Sequence, residues 1–179
     1  IKWIHSEKLE DNPDCIQEEL QGLNGILVAP GFGSRGIEGK IMAVRYAREN
    51  KIPFLGICLG MQCAVIEFAR NVLGYKDAHS VEMSASTTHP VIDIMEEQKL
   101  IQNMGGTMRL GAYPCKLKEN TKIYSAYQKE NISERHRHRY EFNNAYLEAF
   151  EQAGMIASGI NPDTNLVEVV EIPSHPYFV

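Results

Sequence analysis

The chain has 179 residues, 44% of them apolar and 23% charged, with a formal net charge of −5. That length suits one domain with a sizeable core, and the acidic balance excludes broad electrostatic attraction to nucleic acid or to an acidic membrane. Four cysteines without CxxC spacing argue against zinc and for a reduced, cytoplasmic setting. No run has the length of a membrane span, and no signal peptide is visible. The chain opens on Ile1 in a strand-like run, as a fragment of a longer polypeptide would.

Lys2-Trp3-Ile4 reads as a short strand. Asn12-Pro13 starts a helix, a capping residue followed by proline at the first helical position, and the helix runs through Leu20 to a stop at Gly22. After the Asn24-Gly25 turn, residues 26–29 form an apolar strand of the buried parallel type. Residues 30–39 follow with glycines at 31, 33, 36 and 39. Such a loop at a strand's carboxyl end can bring bare backbone N–H groups against a ligand. It lacks the ending of a P-loop and the spacing of GxGxxG, and a plain flexible connector is the alternative. Residues 40–50 are helical, with Ile41, Val44, Tyr46 and Ala47 as the apolar stripe. A second strand from Pro53 completes a βαβ unit. The predicted fold is α/β, a doubly wound, mostly parallel sheet with flanking helices and a smaller antiparallel region.

The second strand ends in Gly56-Ile57-Cys58-Leu59-Gly60, and a helical pattern follows at once from Met61 and Gln62 to Arg70. A strand that turns straight into a helix leaves its corner residue little room, and glycines two positions to either side relieve it. Cys58 is then presented outward at the tip of the sheet, beneath the positive end of a helix, where a thiol loses its proton more readily. The expected role is a nucleophile, in one site with the glycine loop.

Residues 75–105 are polar and irregular, with one strand candidate at 90–94. Residues 107–111 and 112–117 suggest two further strands. Glu134-Arg135-His136-Arg137-His138-Arg139-Tyr140-Glu141-Phe142-Asn143, read as one strand, places Arg135, Arg137 and Arg139 on one face and His136, His138, Tyr140 and Phe142 on the other. Three arginines on a face can hold a carboxylate or phosphate by forked hydrogen bonds. The two histidines lack further ligands spaced to complete a metal site. A short helix over 144–152 and a closing hairpin of 155–160 with 166–172 finish the pattern.

The elbow GICLGMQ resembles that of class I (triad-type) glutamine amidotransferases. PGFGSRGIEGKI, GGTMRLG, ERHRHRYEFN and the ending IPSHPYFV resemble the glutaminase domain of the CTP synthase family. The resemblance spans essentially the whole chain. It implies that Cys58 attacks the side-chain amide of glutamine, with the N–H groups of Gly31 and Leu59 as the oxyanion hole. It implies glutamine contacts from Gly31, Leu59, Gly60, Met61, Gln62, Glu82 and Arg139; Glu82 suits the substrate's ammonium and Arg139 its carboxylate. Residues 33–39 resemble a lid that orders with GTP, an allosteric effector, with Phe32 and Arg35 as effector candidates.

No cofactor is implied within this domain. ATP and Mg2+ belong to a synthase domain of the same polypeptide, an ATP-dependent carbon–nitrogen ligase aminating UTP, and the whole is expected to be a homotetramer. Two departures stand out. Pro30 replaces a glycine found in many relatives and has no N–H to donate. The family's His-Pro-Glu motif, which supplies the base and its orienting acid, is not in the sequence; His175-Pro176 is followed by Tyr177, which marks His175 as structural. The 179 residues alone are therefore expected to hydrolyse glutamine poorly. An amidotransferase with another acceptor, or a non-catalytic module binding glutamine or GTP, are the alternatives.

Overall fold

The structure, a computed structural model, describes residues 1–94 and 108–179. Strands β1 (Ile26–Val28) and β2 (Phe54–Gly56) pair in parallel, Ile26 opposite Phe54 and Val28 opposite Gly56. Helix α3 (Ile37–Glu49) makes the crossover; it buries Ile37, Ile41, Val44 and Ala47 at the three- and four-residue spacing of one face. This is the predicted βαβ unit. On the other side of β2 the chain's last residues run alongside, with Phe54 N–H donating to the Tyr177 carbonyl (2.8 Å) and Gly56 N–H to that of Val179 (2.9 Å). β1 is not buried on both faces as its sequence suggested, because Leu27 is 58% exposed.

Helix α4 (Leu59–Asn71) follows β2 directly and is the centre of the main core; ten of its thirteen residues are buried. An almost continuously apolar helix can be stable only when surrounded. Its one buried charge, Glu67, accepts two hydrogen bonds from Arg48 of α3, at 2.8 and 2.7 Å.

β3 (His79–Ser80) pairs in parallel with β4 (Pro90–Ile94), which pairs antiparallel with β7 (Tyr140–Phe142). Strands β5 (Arg109–Leu117), β6 (Asn131–His138), β8 (Ile156–Ile160) and β9 (Val167–Glu171) form an antiparallel sheet in the order β6-β5-β8-β9. Parallel and antiparallel sheets flanked by helices are the predicted α/β class, with a larger antiparallel share than the sequence suggested. Helix α5 (Lys122–Tyr127) is capped by the Thr121 side chain, and α6 (Leu147–Ala153) ends at Gly154 in the left-handed conformation.

Four local expectations change. Lys2-Trp3-Ile4 pairs with nothing as a strand, and a helix the pattern did not announce, α1 (Ser6–Asp11), follows it. The helix from Pro13 divides into a 3-10 turn, Pro13–Cys15, and α2 (Ile16–Leu20). The two strands expected over 107–117 are one, carried through Gly111 at φ 104°, with Thr107 outside the described residues. The single strand over 134–143 breaks at Arg139, because β6 and β7 belong to different sheets. Arg135 and Arg137 stay together on an exposed face, opposite Ala112 and Leu110, and Arg139 leaves it.

Candidate active site

Cys58 caps α4 with φ 55° and ψ −105°. A non-glycine residue there is strained, a state that persists only where its surroundings impose it. The neighbouring glycines explain the imposition. A Cβ on Gly60 would lie 2.1 Å from the Val28 carbonyl oxygen, and one on Gly56 would lie 2.7 Å from the Gly60 carbonyl carbon. The end of β1, the end of β2 and the first turn of α4 are thus in backbone contact, which only glycine permits. Ile57 N–H donates to the Val28 carbonyl (3.0 Å) and Gln62 N–H to that of Cys58 (3.1 Å), fixing the corner from both sides.

The Cys58 thiol is half-buried, whereas Cys15, Cys63 and Cys115 are buried. Its titration corrects the sequence expectation. Burial pushes the thiol above its ordinary value; hydrogen bonds from the backbone N–H groups of Leu59 and Gly31 pull the other way but are outweighed, and the carboxylates of Glu141 and Glu82 push it up further. The backbone N–H groups of Gly31 and Leu59, the pair expected to face a developing oxyanion, thus lower the thiol's titration by less than burial raises it.

The other predicted residues gather unequally. Gln62, buried in α4, donates from Nε2 to the Tyr140 carbonyl (3.2 Å), while its Oε1 is buried without a hydrogen-bond partner among the described residues. Leu59 and Gly60 are buried, and Met61 is partly buried against the main core. Glu82 is exposed and accepts from Gly33 N–H (3.4 Å), so the glycine loop reaches the carboxylate that faces Cys58. Arg139 is partly buried at the β6–β7 break, beside the residue that anchors Gln62, and makes no ion pair among the described residues.

The loop's glycines divide by task. Gly31 lies where a Cβ would be 2.9 Å from the Leu59 side chain, and Gly33 meets Glu82. Gly36 and Gly39 instead admit α1, since their Cβ atoms would lie 2.2 Å from Ser6 Oγ and 1.9 Å from the Ser6 carbonyl oxygen. Gly39 is already in α3, so the loop proper is shorter than its sequence suggested. Lys40 Nζ holds the loop's far end by the carbonyls of Arg35 and Gly36. Phe32 is 91% exposed, and Arg35 pairs with Glu7 of α1. His175 is 2% exposed, bonded at Nε2 to the Ala47 carbonyl and at Nδ1 from Tyr177 N–H. Both ring nitrogens are occupied in a structural setting, as its sequence context suggested.

Sequence reasoning missed a buried polar cluster behind Arg139. Arg109 donates to Glu141 (2.9 Å) and Glu168 (2.8 Å) and lies 4.3 Å over the Tyr113 ring. His136 Nε2 is 2.6 Å from Glu168, and this hydrogen bond raises the imidazole's titration. Glu168 stays below the ordinary carboxylate value: burial raises it, and the hydrogen bonds from His136 and Arg109 more than offset that. The one available signal was the inward face carrying His136 and His138, which required buried partners.

A strained cysteine at a strand–helix elbow, with the carboxylates of Glu82 and Glu141 acting on its thiol, is the arrangement of a cysteine-nucleophile site. The family model for class-I glutamine amidotransferase matches residues 3–179, and the chain belongs to that family. Within it, the chain is a glutaminase domain of the CTP synthase type. It is similar to the CTP synthases of Cytophaga hutchinsonii (63% identical over 179 residues) and Bacteroides fragilis (62%), in each case over 100% of this chain and 33% of the relative. The solved Trypanosoma brucei CTPS glutaminase domain with bound acivicin matches with a TM-score of 0.92 and 41% identity, over 99% of this chain and 69% of that one. The chain spans about a third of the length of the curated relatives.

Proposed function

We propose that Cys58 hydrolyses the side-chain amide of glutamine to supply ammonia to a synthase domain of the same polypeptide. The thiolate attacks the amide carbon, and the N–H groups of Gly31 and Leu59 receive the charge that develops on its oxygen. The amide nitrogen takes a proton and leaves as ammonia; water then cleaves the γ-glutamyl thioester to glutamate and restores the thiol. Glu82 receives the substrate's ammonium and Arg139 its carboxylate. The observation that carries this reading is the Cys58 corner, held at a strained φ of 55° where β2 turns into α4.

A thiol pushed above its ordinary value needs a base to ionise it and an acid to protonate the leaving nitrogen. His175 serves neither, because its ring is occupied. The chain spans about a third of its curated relatives, and we assign the base and its orienting acid to the remainder of such a longer polypeptide. The isolated 179 residues accordingly turn over glutamine poorly. In the longer polypeptide the ammonia aminates UTP activated by ATP with Mg2+, giving CTP in a homotetramer, and GTP acts through the loop bearing Phe32 and Arg35.

In the full-length polypeptide, Cys58→Ala should abolish CTP formation from glutamine and spare CTP formation from free ammonia. Loss of both activities, or of neither, would refute the assignment.

A further inference from the structure

Arg139 is the single residue between β6 and β7, which belong to different sheets, so the backbone must kink there to present the guanidinium. Strand pairing anchors the backbone on either side of the kink, His138 to Arg109 and Tyr140 to Ile94, and leaves Arg139 between them. What spans it is the carboxylate of Glu141, 5% exposed: His138 Nδ1, on the near side of the break, lies 3.2 Å from Glu141 Oε1, although without hydrogen-bond geometry. The hydrogen bond to this carboxylate comes from Arg109, which stands opposite His138 on the adjacent strand. Arg109 is itself 5% exposed and also binds Glu168 of β9, so one guanidinium ties β5, β7 and β9 together behind the break. The next residue toward the site, Tyr140, supplies the carbonyl that holds Gln62.

We infer that Arg109 and Glu141 are positioning residues for glutamine binding: their buried ion pair holds the Arg139–Tyr140 kink and thereby sets both the Arg139 guanidinium and the Gln62 side chain. This rests on the glutamine reading of the site. Neither residue needs to touch the substrate. Without Arg109, Glu141 keeps only the poorly aligned His138 ring among the described residues, and a buried carboxylate with so little compensation must find water or a proton. Either route moves the backbone at 139–141, and with it the residues that bind the amino-acid end of glutamine, while the Cys58 elbow is fixed independently by Val28, Gly56 and Gly60.

The consequence is a split between binding and chemistry. In the full-length polypeptide, Arg109→Met should raise the KM for glutamine in an ammonia-release assay by about tenfold or more, with kcat changed by less than about threefold. Glu141→Gln keeps an amide acceptor for Arg109 and leaves its bond to Glu168, so it folds even if Arg109→Met does not. It should show the same rise in KM at smaller size, with kcat compared at each protein's own pH optimum because the Glu141 charge also raises the Cys58 thiol. An unchanged KM in a folded Glu141→Gln variant, or a kcat loss with KM unchanged, overturns the inference. If the unsubstituted polypeptide releases no ammonia by way of Cys58, the glutamine reading itself fails, and that result is distinguishable because it appears before any substitution is made.

Discussion

Gly60→Ala tests whether backbone contact at the elbow, rather than chain flexibility, is what the glycines provide. Gly60 lies in the first turn of α4, where alanine gains about 1 kcal/mol of helix propensity. Against that gain, the new Cβ would stand 2.1 Å from the Val28 carbonyl oxygen, where ordinary contact begins at 3.4 Å. The obstacle is backbone, and its oxygen already accepts from Ile57 N–H at 3.0 Å. Overpacking of this kind costs about 1–3 kcal/mol, and losing the hydrogen bond costs about 1 kcal/mol. The net expectation is a destabilisation of about 1–3 kcal/mol, read as a lower urea midpoint with unchanged slope. Gly74→Ala is the control: Gly74 has φ +81° with nothing within 4 Å of its Cβ, so it feels backbone strain alone. Both substitutions should lower stability, but only Gly60→Ala should change the alkylation rate of Cys58. A Gly60→Ala protein with unaltered midpoint and unaltered Cys58 reactivity would refute the reasoning.

Two more expectations follow from the charges. Because burial and the carboxylates of Glu141 and Glu82 hold the Cys58 thiol above its ordinary value, the thiolate fraction is small near pH 7. Iodoacetamide should therefore label Cys58 faster with each rise in pH beyond the usual thiol value of about 8.5, and Glu82→Gln should move that profile to lower pH; a plateau near neutrality would contradict the assignment of causes. Arg48→Met should destabilise the protein by about 3–5 kcal/mol, since it leaves the fully buried Glu67 carboxylate without its charged partner, with the Asn71 amide still donating to it. Much of the loss should return in Arg48→Met/Glu67→Leu, and a double variant no more stable than the single one would show that the charge is not the cause.

What could be read from the sequence was local and steric. The βαβ unit followed from one apolar run, one helical stripe and a second apolar run, and the elbow from glycines on either side of Cys58. Both depend on neighbours a few residues apart. The misreadings lay where distant segments decide. The exposure of Leu27 depends on what covers β1, and α1 is a short helix whose docking shows only in Gly36 and Gly39. The histidine–arginine run looked like one strand because period-two alternation continues across Arg139, whereas sheet membership is set by β4 and β5. The titration of Cys58 went the same way. A helix N-terminus favours the thiolate, but the burial and the two carboxylates that reverse the balance come from the rest of the fold.

The central claim is that Cys58 forms a bond to the γ-carbonyl carbon of glutamine. The direct test is to mix the full-length polypeptide with carbon-labelled glutamine, quench in acid during turnover, and map the label by peptide mass spectrometry. The claim predicts label on the peptide that contains Cys58, absent from a Cys58→Ala protein and released by hydroxylamine as a thioester should be. Ammonia release in which label never accumulates on that peptide under rapid quench, or label that survives Cys58→Ala, would contradict it.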